Sequence, residues 1–223
     1  PFRIRSGFIY VLNLALNDGH IYLPKELLFQ KASEILQVDE EELDKHFTDL
    51  IIDKKIVVKQ VTDEASDEKR ALVYSYRNYY LELNTAAMLN DLNVRHNEDM
   101  NFVRSIIKRI EKKSGIELDE LQRRAVEEAA VSGVFILTGG PGTGKTTTIN
   151  ALINYFEAID MNILLAAPTG RAAKRMREAT GHEASTIHRM LELYGDPEDP
   201  NGRARFGRNA ENPLEADVVI IDE

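Results

Sequence analysis

Residues 139–146 read Gly-Gly-Pro-Gly-Thr-Gly-Lys-Thr and match the pattern G-x-x-x-x-G-K-[ST]. The apolar stretch Val134–Thr138 before them predicts a β-strand, and a helix is predicted from Lys145 onward. In such a strand–loop–helix, the four glycines let backbone N–H groups point at phosphate oxygens. The lysine reaches the β- and γ-phosphates, and the hydroxyl of Thr146 ligates Mg²⁺. The stretch therefore predicts a P-loop that binds a nucleoside triphosphate.

Two carboxylates at the end of the chain suit the same chemistry. The stretch Asp217–Asp222 (DVVIID) predicts a continuous apolar strand, and Glu223 follows it. An acid at the end of a buried strand beside a P-loop can hold Mg²⁺, and Asp222 fits this role. Glu223 is then placed to polarise an attacking water.

Helices alternate with short apolar strands from residue 119 onward. Asn162–Ala167 predicts another strand, and a helix is predicted from about Gly170. Short, fully apolar strands between helices are typical of a parallel sheet covered on both faces. We therefore expect an α/β fold for this half of the chain.

Gln122, in the segment Leu118–Gln122, has two possible roles. Its amide carries a donor and an acceptor, which could read the edge of an adenine base. Asp119 and Gln122 also form a D-x-x-Q capping box, which would give the glutamine a structural role. The sequence leaves both open.

Two further segments suit contacts with a nucleic-acid strand. Ala167–Ala173 (APTGRAA) places threonine and glycine at a helix N-terminus, with Arg171 nearby, and this suits a phosphate at the edge of the sheet. Ser185–His188 begins another helix, in which Ser185 or Thr186 would make a good N-cap. That structural role is the alternative to a DNA contact for Thr186.

Residues 1–77 predict the element order of a winged helix: helix, short strand, two helices and a hairpin. Asp39 and Glu42 form a capping-box pattern at the start of the third helix. Residues 39–53 hold seven acids and one lysine, and such a helix would be repelled by phosphate. We therefore expect a packing or adaptor domain here rather than a reader of DNA.

Residues 78–114 predict two more helices that connect the two parts of the chain. Along the second, Arg104, Lys108 and Lys112 recur every four residues on a face away from its apolar stripe. Such a row could follow a phosphate backbone. The simpler interpretation is a solvated face whose cations complement the helix C-terminus.

The composition bounds the remaining possibilities. The 223 residues carry a formal net charge of −9, divided as −2 over residues 1–115 and −7 over residues 116–223. Neither half is basic, so contact with nucleic acid would need local patches. The absence of cysteine excludes disulfides and thiolate metal sites. The apolar runs are too short to span a bilayer and no secretory signal opens the chain, so we expect a cytoplasmic protein without membrane contact.

The motifs together resemble a known family. GGPGTGKTTT (139–148), APTGRAAKRM (167–176), STIHRML (185–191) and NPLEADVVIIDE (212–223) are similar, in this order and spacing, to motifs I, Ia, Ic and II of superfamily-one DNA helicases of the RecD/TraA type. LDELQRRAV (118–126) resembles their Q motif. The resemblance is specific over residues 117–223 and looser before them. A winged-helix-like segment ahead of the motor resembles the stand-alone RecD-like helicases.

This resemblance implies ATP-driven, Mg²⁺-dependent translocation on single-stranded DNA with 5′-to-3′ polarity, action at duplex junctions, and a role in DNA repair and recombination. It also implies a winged-helix-like domain (1–77), a helical connector (78–114) and an incomplete RecA-like lobe (115–223). By position, the resemblance implies that the nucleotide is bound by Gln122, Gly140, Pro141, Gly142, Thr143, Gly144, Lys145, Thr146 and Thr147. It implies that the metal is held by Thr146 and Asp222 and that the catalytic residues are Lys145 and Glu223. It implies that DNA is bound by Pro168, Thr169, Arg171, Thr186 and His188.

The family also carries a hairpin pin before motif II. Tyr194–Pro213 is the candidate, with Arg203, Arg205, Phe206 and Arg208 expected at its tip; its Pro, Gly and Asn content also suits a surface loop. The later motifs and the second motor lobe of the family are absent, so we expect the chain to bind nucleotide without unwinding DNA. Two other hypotheses are a winged-helix P-loop switch ATPase and an inert binding module.

Overall fold

The computed structural model describes residues 2–62, 69–140, 142–195 and 205–222. The chain divides into two compact units, Pro1–Asp91 and Leu92–Glu223. Among the helices of the described ranges, none is long and apolar enough to cross a membrane.

The first unit combines helices with a small antiparallel sheet. Its strands are arranged in the order β1-β3-β2, and Val73 of β3 pairs with Leu23 on one side and Val58 on the other. Its elements are α1 (Phe2–Asn17), β1 (Tyr22–Pro24), α2 (Lys25–Leu36), α3 (Glu40–Ile52), β2 (Ile56–Thr62), β3 (Lys69–Ser75) and α4 (Tyr76–Leu92).

An aromatic cluster lies at the centre of this unit. Phe8, Phe29 and Phe47 come from α1, α2 and α3, and their ring centroids lie 5.1–5.6 Å apart. Leu23, Ile56 and Val73 join the same core from the inner face of the sheet.

One expected cap of this unit is not formed. Asp39 is the N-cap residue of α3, but its side chain makes no capping hydrogen bond. Glu42 does not complete a capping box, because its carboxylate instead accepts a hydrogen bond from Lys45 at 2.9 Å. An ion pair within one turn of α3 has replaced the reciprocal cap.

The second unit contains a parallel sheet with the strand order β5-β4-β8. Leu165 of β4 pairs with Ala184 of β5 and Ile220 of β8, so the carboxyl ends of all three strands lie at one edge. Its elements are α5 (Met100–Ser114), α6 (Glu120–Val131), α7 (Lys145–Glu157), β4 (Ile163–Ala167), α8 (Gly170–Thr180), β5 (Ala184–Thr186), α9 (Ile187–Met190), β6 (Leu193–Tyr194), β7 (Arg205–Phe206) and β8 (Val218–Ile221).

The core of this unit joins three helices. Val103, Ile106 and Ile107 of α5 are buried against Val126 of α6 and the apolar face of α7. A smaller cluster joins α7, β4 and α8 through Ile153, Leu165 and Met176. The P-loop helix α7 takes part in both clusters and is therefore packed on both sides.

The strand expected before the P-loop is not part of a sheet. Val134–Thr138 lacks strand pairing, and Ile136 is 78% exposed. Phe135 and Leu137 line a cavity of about 340 Å³ whose other wall is Val218–Asp222. A strand needs a neighbour that completes its hydrogen-bond ladder, and within the described residues β8 pairs only with β4. The expected cover on both faces also fails at β8, because Ile221 is 57% exposed.

Candidate nucleotide and DNA site

The loop before α7 has the backbone geometry that its glycines allow. Gly142 and Gly144 have φ angles of 77° and 79°, in the left-handed region that favours glycine. The Thr143 hydroxyl donates a hydrogen bond to the Gly140 carbonyl at 2.9 Å, which closes the loop on itself. Gly144 is the N-cap residue, so α7 begins at Lys145 as the sequence predicted.

The Lys145 ammonium lies over this loop. It donates hydrogen bonds to the carbonyls of Gly139 and Gly140, the second at 3.0 Å. In the first turn of α7, Thr146 is exposed and Thr147 is half-buried. The ammonium group of the half-buried Lys145 is therefore held by carbonyl groups of the loop that is predicted to bind the phosphates.

Gln122 forms the capping box and also lies beside the P-loop. Its Oε1 accepts a hydrogen bond from the Asp119 backbone N–H at 3.0 Å, and the Asp119 carboxylate accepts one from the Gln122 N–H at 2.8 Å. The Gln122 amide nitrogen lies against Gly144, close enough to collide with a β-carbon there. The structural role of Gln122 is therefore confirmed, and its contact with adenine stays a prediction.

An ion-pair network holds the segment that leads into α6. Glu111 accepts a hydrogen bond from Arg123 and another from the Leu118 backbone N–H, both at 2.9 Å. Arg123 also contacts Glu117 at 3.3 Å. The hydrogen bond to Glu111 is the first cause that raises the pKa of Arg123. Sequence reasoning missed this network, because Glu111 and Arg123 lie twelve residues apart and match no local pattern.

Asp222 lies at the carboxyl edge of the sheet. Its backbone N–H donates a hydrogen bond to the Ala166 carbonyl at 3.0 Å, and Asp222 lines the same cavity as Lys145. No cluster of three or more His, Cys, Asp or Glu residues exists in the part of the chain that the structure describes. An exposed Thr146 hydroxyl and one carboxylate fit Mg²⁺, which keeps several waters and binds through few protein ligands plus phosphates. Pro141 and Glu223 lie outside the described residues.

The five residues assigned to DNA gather at the same edge. Ala167 pairs with Thr186 in register, so the segments that follow β4 and β5 leave the sheet side by side. Of the five, only Thr186 is half-buried; the exposed members are Pro168, Thr169, Arg171 and His188.

Both threonines at this edge cap helices. Thr186 accepts a hydrogen bond from the Arg189 backbone N–H at 3.2 Å, so the N-cap alternative for Thr186 is confirmed. Thr169 accepts one from the Ala172 N–H at 3.2 Å, a cap that sequence reasoning missed. These caps hold the start of α8 and of α9 at the sheet edge.

The segment proposed as a pin contains a short antiparallel ladder. Leu193 pairs with Phe206 and Tyr194 with Arg205. Arg208 is not at a tip: it donates to Glu192 at 2.9 Å and to the Pro213 carbonyl at 3.1 Å, next to the ladder. This pairing places Arg208 at the base of the hairpin, which corrects the sequence-based expectation; Arg203 lies outside the described residues.

Comparison with known proteins first matches part of the chain to a family model. Residues 122–223 match the family model described as an AAA domain. This range begins at Gln122 and includes the P-loop, the three sheet strands and Asp222.

Individual similar proteins carry more specific names than the family model. The chain is 41% identical over 114 residues to an "ATP-dependent RecD2 DNA helicase" of Deinococcus radiodurans, which covers 51% of the chain and 15% of that protein. It is 39% identical over 127 residues to the "RecBCD enzyme subunit RecD" of Mycolicibacterium smegmatis (47% and 22%), and 34% identical over 131 residues to that of Haemophilus influenzae (48% and 20%). The chain thus spans about a fifth or less of these relatives. Over about half of its residues, its resemblance to RecD-like superfamily-one helicases is confirmed.

Proposed function

We propose that the chain is the nucleotide-binding part of an ATP-dependent DNA helicase. The observation that carries this proposal is that the P-loop Lys145 and Asp222 line one cavity beside the carboxyl edge of a parallel sheet. Ligands of open α/β sheets bind at that edge. The relatives named as DNA helicases support the choice of DNA as the polymer.

ATP would bind along the P-loop. Backbone N–H groups of residues 140 and 142–147 would receive the phosphates, and Lys145 would exchange its loop carbonyls for phosphate oxygens. Thr146 and Asp222 would hold Mg²⁺, which when bound neutralises phosphate charge. Gln122 would offer its amide nitrogen to adenine while its oxygen remains in the capping box. Lys145 would be a catalytic residue, and Glu223 would act as the catalytic base.

Single-stranded DNA would cross the same edge of the sheet. Pro168, Thr169, Arg171, Thr186 and His188 would contact it, and three of the four exposed members have polar or charged side chains. By family resemblance, the motor would translocate 5′ to 3′ and act at duplex junctions. Because nucleotide and DNA would bind at the same edge of the sheet, ATP binding would directly change the affinity for the DNA strand.

Residues 1–77 would form a winged-helix-like adaptor, residues 78–114 a connector and residues 115–223 a RecA-like lobe. The topology of the first unit supports the winged helix. Its acidic α3 offers phosphate no free lysine, because Lys45 is paired with Glu42. A role in docking a protein partner suits this surface better than a role in reading DNA.

The chain by itself would bind nucleotide, hydrolyse it negligibly and not unwind DNA. Unwinding by this family uses two lobes that move against each other, and the described residues form one parallel sheet. In related NTPases, an arginine supplied from another domain raises the rate by roughly 10³–10⁵-fold.

The test is ATP hydrolysis, with and without single-stranded DNA, by a longer protein that contains this chain. We expect DNA to stimulate turnover, and Lys145→Ala to abolish it while the exposed control Lys31→Ala does not. ATP turnover that is the same with and without DNA would favour the switch ATPase, and no turnover at all would favour an inert binding module.

A further inference from the structure

Four cations lie in the second half of α5: Lys108, Arg109, Lys112 and Lys113. All four are exposed, and none forms an ion pair or side-chain hydrogen bond with the rest of the described chain. We call these four residues the α5 basic face. Free cations are concentrated here although the chain as a whole carries a net charge of −9.

The other charged side chains between α5 and α6 are paired with one another. Arg104 forms a two-point ion pair with Glu127 at 2.8 and 3.2 Å. Glu111, the one carboxylate of α5, is held by Arg123. The carboxylates nearest to α5 are thus occupied by partners other than the α5 basic face.

Other acids of the packed helices are also largely engaged. On α6, Glu128 lies 4.0 Å from Arg95, and on α7, Glu157 contacts His182 at 2.7 Å. Glu120, in the first turn of α6, has no described ion pair. One free carboxylate on α6 therefore stands against four free cations on α5.

The geometry of the helix sets the spacing of these charges. Lys108 and Lys112 are one turn apart, as are Arg109 and Lys113, with a rise of about 6 Å for four residues. The result is two short, parallel rows of positive charge. Regular rows of cations suit a polymer with regularly spaced anions.

We propose that the α5 basic face binds the phosphate backbone of DNA, as a second contact outside the carboxyl edge of the sheet. DNA is the polymer that the proposed function supplies, and to that extent the inference rests on it. Phe102, 52% exposed and two turns before Arg109, adds a ring on which a base can stack. The opposite, apolar face of α5 packs on α6 and on α7, the helix that begins at Lys145.

The test compares the 223-residue chain with a variant that carries Lys108→Gln, Arg109→Gln, Lys112→Gln and Lys113→Gln. Glutamine has nearly the helix propensity of lysine and arginine, so α5 should remain folded, which circular dichroism checks. Fluorescence anisotropy with a labelled 20-residue oligothymidine measures affinity between 50 and 200 mM salt. We expect the variant to bind at least tenfold more weakly at 50 mM salt, with the salt slope reduced by up to about 3, or 0.7 per lost contact.

Two controls make the result specific. A variant with Lys108→Arg, Lys112→Arg and Lys113→Arg keeps the charge and should keep the affinity. A variant that neutralises four exposed cations of the first unit to Gln (Lys31, Lys55, Lys59 and Arg77) loses the same charge elsewhere and should also keep it.

Unchanged affinity of the α5 variant would overturn the inference and leave the proposed function standing. An equal loss in the first-unit variant would also overturn it, because the effect would then be one of net charge. If the unmodified chain bound no oligothymidine, the inference and the DNA part of the proposed function would both fail, while nucleotide binding would still report on the P-loop.

Discussion

Gln122 combines two roles at the scale of a single residue. Its oxygen is used by the backbone N–H of Asp119, whereas its amide nitrogen lies against Gly144 of the P-loop. The cap therefore fixes the orientation of the amide, and the free donor faces the nucleotide site. N1 of adenine accepts such a donor, whereas N1 of guanine carries a proton and donates, so this donor would favour adenine.

The two roles can be separated by substitution. Asp119→Ala removes the cap acceptor and should lower stability by about 1 kcal/mol, but leaves Gln122 held by the Asp119 backbone N–H. Gln122→Ala should also lower the preference for ATP over GTP. Nucleotide titrations of both variants measure the preference for ATP over GTP, and thermal unfolding measures their stability. An unchanged preference in Gln122→Ala would leave the glutamine with its structural role alone.

A second prediction concerns Gly144. Gly144→Ala places a β-carbon at a φ of 79°, which costs roughly 1–2 kcal/mol, and brings that carbon into collision with the Gln122 amide. We expect ATP affinity to fall at least tenfold. Gly170→Ala is the matched control, because a β-carbon there has no neighbour within 4 Å and its φ is not positive. Equal ATP affinity in the two variants would show that the loop does not need its left-handed glycine.

The sequence predicts the structural roles of such residues well where the pattern is local. The start of α7 at Lys145, the Asp119–Gln122 box and the Thr186 cap all follow from neighbours within a few positions. The Glu111–Arg123 pair does not, because it depends on how two helices pack. The Asp39 cap is not formed, because the Glu42 backbone N–H donates to the Asp39 backbone carbonyl and the Glu42 carboxylate pairs with Lys45.

At the scale of elements, strands were harder to predict than helices. β4 and β8 were expected and are present, but Val134–Thr138 has the same apolar character without a strand partner. Helical hydrogen bonds are internal to the segment, whereas a strand depends on its neighbours. Local sequence therefore could not determine this outcome.

The connection between α7 and the turn after α8 predicts a pH effect. His182 Nε2 donates to Glu157 at 2.7 Å and Nδ1 faces the Thr180 carbonyl at 3.0 Å. The hydrogen bond to Glu157 is the main reason that the pKa of His182 is raised above its ordinary value. Both nitrogens face acceptors, which favours the charged ring.

Because the folded pKa of His182 is raised, its contribution to stability is complete below about pH 6.5 and is lost as pH rises through the folded pKa. The effect should be small, since solvent screens this half-exposed pair. Melting temperatures from pH 5.5 to 8.5 should show less decline with pH in His182→Gln than in the unmodified chain. The control His188→Gln, whose ring has no described hydrogen bond, should follow the unmodified chain. Identical slopes in all three proteins would contradict this.

At the scale of the whole molecule, positive charge occurs in local patches of the surface and not as a net positive charge of either half of the chain. The chain is acidic overall, yet the α5 basic face and the exposed Arg171 offer local positive charge. Composition alone predicts that any DNA contact must be local. It could not show which cations are free, because Arg104 and Lys108 look equivalent in sequence and only Arg104 is paired.

The central claim, that residues 139–146 form a working P-loop with Mg²⁺ held beside it, has one direct test. Calorimetric titration of the 223-residue chain with ATP should show one site that requires Mg²⁺. Lys145→Ala should weaken ATP binding at least tenfold, or about 1.4 kcal/mol, while the exposed control Lys31→Ala leaves it unchanged. Binding of equal strength in Lys145→Ala, or no binding by the unmodified chain, would contradict the claim.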